Sequence, residues 1–213
     1  MKRLKFILLF LVLLSEYSVG QSMEEVFKSI PINYTPELSS GGKDSLIHFG
    51  VYTIPGGDTL STMEIAVTES KPDFIQFNLY FSTGQKMFSI TEIRTFKKKD
   101  GSTIVVFAKS GGLQRAFDQY SLLTFEYSDG DVVLSRELGL PETIAWNEFL
   151  KSNLPDSLKL QEMTLSTSYD LYPQTSNAIA YLLNPQTQQF NDWIGEVEFL
   201  YVWNGNKFER KVR

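Results

Sequence analysis

Phe74-Ile75-Gln76-Phe77-Asn78-Leu79-Tyr80-Phe81 decides the fold class. Successive side chains of a strand point to opposite faces, so Ile75, Phe77, Leu79 and Phe81 share one side. Gln76 and Asn78 fall on the other. Thr83-Gly84 makes a turn after this run, and residues 87–96 return, rich in β-branched and aromatic residues. Asp100-Gly101 turns again into 103–108, whose Thr-Ile-Val-Val-Phe-Ala is apolar enough for a central strand. Residues 122–127 and 132–135 then flank Asp129-Gly130. Glycine reaches the positive φ that a tight primed turn requires, so each Asp-Gly between apolar runs marks a hairpin. Three hairpins in series predict an antiparallel meander.

Outward from the meander, short helices come first. Ser22 and Glu25 form a Ser-x-x-Glu capping box, Val26, Phe27 and Ile30 share a helical face, and Pro31 stops the run. Thr35-Pro36-Glu37 predicts a second helix with proline at its first position, ended by Gly41-Gly42. Residues 43–49 fit either a helical turn or a first strand. Beyond the meander, Leu140-Pro141 ends the sheet run. Asn147 is placed to cap a short helix through Lys151, and Pro155-Asp156 opens another with Leu158, Leu160 and Met163 on its apolar side. Residues 165–171 and 177–183 read as strands. A last hairpin joins 196–203 to 207–212 through Asn204-Gly205. An isolated hairpin is barely stable, so this one is expected to pair with earlier strands. The expected fold is mainly β, with antiparallel meander and hairpin sheets and a few short helices at the N-terminus and in the middle. An α+β arrangement is the alternative. No fixed-period repeat is visible, which argues against a propeller or solenoid.

The first twenty residues read as a signal peptide. Lys2, Arg3 and Lys5 are a positive start, residues 6–14 are an unbroken apolar run, and Ser18-Val19-Gly20 offers small residues for cleavage before Gln21. That run is about half of the roughly 20 residues a membrane-spanning helix needs. No cysteine follows it, so a lipoprotein anchor is excluded. The expected location is the periplasm or the extracellular space, with no transmembrane segment after cleavage. Residues 21–213 are expected to form a single β-rich domain, with 140–155 as the candidate boundary between two sub-regions, 21–140 and 141–213. Losing Lys2, Arg3, Lys5 and Glu16 takes the formal net charge from −5 to −7. That field repels polyanions, so nucleic acid is not an expected partner. Lys97-Lys98-Lys99 precedes Asp100-Gly101 and reads as a solvated hairpin tip.

The chain has no cysteine and one histidine. A disulfide scaffold, a cysteine nucleophile and a Cys- or multi-His zinc site are thereby excluded. His48 is the sole imidazole a Ser-His-Asp triad could use, Gly-x-Ser-x-Gly is absent, and His48 between Ile47 and Phe49 reads as structural. Ser40-Gly41-Gly42-Lys43 matches Ser-x-x-Lys, and Lys109-Ser110-Gly111 resembles the Lys-Ser/Thr-Gly strand of penicillin-binding enzymes. Two glycines oppose the helix start that the first motif needs. The Ser-x-Asn element between the two is missing. Glu64, Glu69, Glu92, Asp118, Glu126, Glu148, Glu196 and Glu198 could supply a glycosidase pair. Such a pair must face across a cleft at roughly 5–10 Å, which spacing along a chain cannot establish. Ser128-Asp129-Gly130-Asp131 is too short for an EF-hand loop and reads as a turn. No catalytic residue, metal ligand or cofactor is therefore assigned.

Binding candidates are few. Ser110-Gly111-Gly112 follows an apolar strand, and a small-residue loop there could bring backbone amides to a ligand, with Arg115 to support an anion. Aromatic residues make up 14% of the chain, and most must be core in a protein without disulfides. Trp193, in the polar stretch 186–195, is the one placed to stack on a sugar or anchor a peptide.

The order of features resembles uncharacterised exported proteins of Bacteroidetes. It runs from a signal peptide to a short aromatic helix closed by proline, Phe27-Lys28-Ser29-Ile30-Pro31, and then to Lys43-Asp44-Ser45-Leu46-Ile47. A strand ending at Ser110-Gly111-Gly112 and a terminal aromatic hairpin over 201–208 follow. The resemblance implies no activity and no catalytic residues. The expected role is a non-catalytic binding or interaction module at the cell envelope, with a protein, peptide or glycan as partner. A carboxylate-dependent hydrolase acting on carbohydrate is the alternative. An inhibitor or stabiliser of an envelope enzyme is a third.

Overall fold

The computed structural model describes residues 22–54, 62–81, 87–113, 116–136, 138–151, 153, 167–175, 177–183, 192, 194, 195, 197 and 199–212. The expected signal peptide, the expected Thr83-Gly84 turn, Arg115, the helix expected from Pro155, Trp193, Glu196 and Glu198 lie outside the described residues.

Helix α1 (Met23–Ser29) starts on the expected capping box: the Glu25 amide donates to Ser22 Oγ at 3.2 Å, and the Ser22 amide to Glu25 Oε2 at 3.0 Å. Val26, Phe27 and Ile30 are buried. A 3-10 turn at Ile32–Tyr34 leads to helix α2 (Ser40–Phe49). This corrects the expected second helix, which was to start at Thr35-Pro36 and end at Gly41-Gly42. Ser39 caps α2 by accepting from the Gly42 amide at 3.1 Å, and the glycines lie inside its first turn. Gly42 has a steric reason to be there, since a Cβ would stand 3.0 Å from the Tyr52 ring. Lys43 is 2% exposed, and its ammonium donates to the Phe27 and Ile30 carbonyls at the end of α1. Burial pulls that ammonium down to about 8.

Seven strands then run β1 (Val51–Ile54), β2 (Met63–Lys71), β3 (Phe74–Phe81), β4 (Met87–Lys97), β5 (Thr103–Leu113), β6 (Ala116–Ser128) and β7 (Asp131–Ser135). Their order in the sheet equals their order in the chain, and every pair is antiparallel. The meander is thus as expected, and β1 and β2 extend it beyond the strands anticipated. Ser110, Gly111 and Gly112 do not form a loop. They continue β5, opposite Ile90, Ser89 and Phe88 of β4, because β4 and β6 are long enough to pair with them on both sides. Asn147 does not cap a helix; Trp146–Phe149 is a 3-10 turn without a side-chain cap.

A second antiparallel sheet, ordered β11-β10-β9-β8, is built from β8 (Thr167–Asp170), β9 (Ala178–Leu183), β10 (Phe199–Trp203) and β11 (Phe208–Val212). The terminal hairpin pairs through β10 with β9, as expected. The large sheet lies between two covers. Ile75, Phe77, Ile93, Val105, Phe107 and Phe125 pack with Val26, Phe27, Leu38 and Leu46 on the helical side. Phe74, Phe96, Ile104, Val106 and Ala108 pack with Tyr169, Ile179, Phe199, Tyr201 and Trp203 of the small sheet. The fold is mainly β.

Candidate functional site

On the face toward the small sheet, β4 carries Glu92 and Arg94 between its apolar positions. Arg94 is 4% exposed, and its Nη1 donates to the Leu171 carbonyl at 2.7 Å and the Ala178 carbonyl at 2.6 Å. Leu171 and Ala178 bracket the connection between β8 and β9, so one guanidinium ties the two sheets. Its Nε stands 3.5 Å from Asp73 Oδ2, close enough to attract but without hydrogen-bond geometry. Burial lowers the Arg94 guanidinium below its usual range, and the Asp73 charge opposes that. Two residues earlier, Glu92 Oε2 accepts from the Leu171 amide at 3.3 Å. Burial pushes the Glu92 carboxyl up to about 7; the Leu171 amide works against the rise, and Asp170 and Glu69 add to it.

Beside this clamp the sheets leave a cleft of about 920 Å³. Lys71 and Asp73 border it from the β2–β3 turn, Arg94 and Lys97 from β4, and Tyr172, Gln174 and Asn177 from the β8–β9 connection. The β10–β11 turn closes the end. There the Lys99 amide donates to the Gly205 carbonyl at 3.0 Å, and a Cβ on Gly205 would press on the Lys99 side chain at 2.9 Å. Asn177 holds positive φ, 58°, and its Nδ2 donates to the Trp203 carbonyl at 2.8 Å. Trp203 Nε1 in turn donates to the Lys97 carbonyl at 2.8 Å.

The electrostatics run against the average of the molecule. On a chain of net charge −5, the described lining residues include Lys71, Arg94 and Lys97 against one carboxylate, Asp73. The aromatic rings are already occupied. Lys71 Nζ lies 3.5 Å from the Tyr172 ring centre and Arg94 Cζ 4.7 Å from it, while Trp203 is buried. Arg94 and the side-chain amides of Asn177 and Asn204 already donate to Leu171, Ala178, Trp203 and Glu209. What the cleft offers a ligand is the Lys71 and Lys97 ammoniums, which also bond Glu69 and Thr103, and the Gln174 amide, a set that suits an acidic ligand.

The residues singled out by sequence lie elsewhere. Ser110 is 8% exposed within β5, with Gly111 and Gly112 beside it in the same strand. His48 is exposed at the end of α2, edge-on to Phe49 at 4.5 Å. Ser40 and Lys43 share α2 even though two glycines separate them, yet the Lys43 ammonium is given to α1. Lys109 pairs with Glu37 at 2.6 Å. Among the expected carboxylates, Glu69 pairs with Lys71, Glu126 with Lys98 and Glu148 with Arg210. Arg94, Asp73 and Tyr172 were not anticipated. Their signal was in the sequence: Arg94 and Glu92 share a strand face with Phe96, so charge stood at core positions.

No family model and no curated protein matches the chain. A solved structure does: a domain of an uncharacterized protein from Porphyromonas gingivalis W83, with a TM-score of 0.62 at 11% identity over 90% of this chain and 98% of that one. The two share a fold. The source of the neighbour is a member of the Bacteroidetes, in keeping with the lineage to which the order of sequence features pointed.

Proposed function

We propose that this chain is an exported, non-catalytic binding module of Bacteroidetes type that takes an acidic peptide segment in the cleft between its sheets. The observation that carries this is the cleft itself: about 920 Å³, bordered by Lys71, Arg94 and Lys97 on a molecule that is negative overall. A pre-formed concavity with a few convergent polar groups is the usual form of a ligand site. A peptide fits better than a glycan, because a sugar would stack on an open aromatic face and the rings of Tyr172 and Trp203 are covered by Lys71, Arg94 and packing. Export rests on the Lys2–Lys5 charges, the apolar run 6–14 and the small residues before Gln21. The hydrolase alternative needs two carboxyl groups facing one space. Asp73 is the one carboxylate among the described lining residues, and Glu92 lies under the small sheet instead of on the lining.

Calorimetric titration with an oligoglutamate peptide tests the reading. Saturable binding that weakens with salt is expected, because screening shortens the reach of exposed charges. Lys71→Gln together with Lys97→Gln should abolish it while leaving the thermal melt in place. Equal binding by wild type and variant, or none by either, would refute the cleft as the site. Release of reducing ends from an oligosaccharide would move the function to the hydrolase alternative.

A further inference from the structure

β7 is the last strand of the large sheet, with β6 as its neighbour. It leaves β6 through the two-residue turn Asp129-Gly130, both residues at positive φ (53° and 91°), so Ser128 stands opposite Asp131. The residues flanking such a turn exchange hydrogen bonds, and pairs along the ladder then alternate. Asp131, Val133 and Ser135 therefore turn their backbone groups toward β6. The bond that Thr124 Oγ1 donates to the Ser135 carbonyl at 2.7 Å agrees with this. Val132 and Leu134 turn theirs away from the sheet, where no described residue pairs with them. The side chains beside these groups are apolar and open: Val133 is 66% exposed and Leu134 40%. An edge with free N–H and C=O groups under apolar side chains is a template for another strand.

We infer that this edge pairs with the same edge of a second copy, antiparallel, about a two-fold axis at Val133. Within that register Val132 stands opposite the partner's Leu134. Each such pair exchanges both of its N–H···O bonds through the groups that β6 leaves unused. Val133 meets its own copy at the close, non-hydrogen-bonded position. Arg136, exposed just past β7, comes opposite Gly130, whose chain neighbours are Asp129 and Asp131. A cation thus meets carboxylates at both ends of the contact, and the edge is complementary to itself, as a two-fold interface requires. A parallel pairing would instead set Arg136 against Arg136 and Asp131 against Asp131. The strand has five residues, so the contact is small beside the roughly 1,200–2,000 Å² of a standard interface, and the dimer is concentration-dependent.

Sedimentation velocity of the purified chain over a concentration series reads this out. Wild type should pass from monomer to dimer as concentration rises. Val133→Lys sets like charges directly opposite and should weaken the dimer roughly tenfold or more. Val133→Glu should do the same. Val133→Lys should leave the thermal melt in place, because the side chain is mostly in water, while Val133→Glu also faces Glu126 of β6 and should lower the melt slightly. Mixing the two variants should restore the dimer, since Lys then faces Glu across the axis. A wild type that stays monomeric throughout, variants that dimerise as wild type does, or a mixture that fails to recover each overturns the two-fold pairing. So does a monomer that carries a foreign extended peptide on β7.

Discussion

The two faces of the seven-stranded sheet are covered by different means. Toward the helices the cover is apolar, with Val26, Phe27, Leu38 and Leu46 lying on Ile75, Phe77, Val105 and Phe107. The buried charges described on this side are answered locally: the Lys43 ammonium caps α1, and Lys109 pairs with Glu37. Toward the small sheet the apolar contacts are as numerous in kind, but a charged pair is set among them: Arg94 holds the Leu171 and Ala178 carbonyls, and Glu92 takes the Leu171 amide. A helix satisfies most of its own backbone groups, so it needs only a greasy stripe to dock. The β8–β9 connection carries backbone groups that no ladder satisfies, and side chains of the large sheet must satisfy them. The cleft opens where that polar clamp reaches the surface.

The contrast can be broken from either side. Truncating Phe27 to alanine should cost about 3–5 kcal/mol, the range for emptying a buried aromatic site. A urea midpoint at neutral pH measures it, and a loss below the range would mean that the helices merely rest on the sheet. Arg94→Met keeps the stem and removes the donor. It should cost about 2–4 kcal/mol, because two buried carbonyls lose their partner. If that variant proves as stable as wild type, apolar contact alone holds the small sheet and the clamp is incidental.

Glu92 sharpens the comparison through pH. Its carboxyl is raised to about 7 in the folded chain from an ordinary 4.5, so the folded state keeps the proton longer than the unfolded state does. Stability is therefore undiminished below the ordinary value, falls as pH rises toward 7, and is lowest above it. Glu92→Gln removes the ionisation while an amide oxygen still accepts from Leu171. Relative to wild type it should gain up to about 3 kcal/mol at pH 8, and the gain should close as pH approaches 4.5. Parallel denaturation curves at the two pH values for wild type, Glu92→Gln and Phe27→Ala would show whether the pH effect belongs to the small-sheet side. A gain that is the same at both values would place the cause elsewhere.

Much of the fold was legible because alternation is a local signal. Residues 74–81 are β3 as read, and Asp129-Gly130 is the turn that two positive φ values demand. The strand β2 was open to the same reading, since Met63, Ile65 and Val67 alternate with Glu64 and Thr68. Its period breaks at the bulge between Val67 and Glu69, which blurs the pattern over the whole run. Propensity misled at Gly41-Gly42. A glycine costs helix stability in isolation, yet the Ser39 cap and the close approach of Tyr52 outweigh that here. For Ser110-Gly111-Gly112, small residues suggested a loop, but two long neighbours kept them in the ladder.

From its residues alone the chain determined its β character, its order of hairpins, its capped first helix and its reliance on an apolar interior without disulfides. Those properties depend on neighbours a few positions apart, where periodicity, caps and positive φ act. Which face of the sheet each cover takes, why Arg94 and Glu92 stand at core positions, and where the cleft lies were decided only by tertiary structure. Arg94 and Leu171 are 77 residues apart. A buried charge has meaning only once the carbonyl that accepts from it is known, and no local pattern carries that partner.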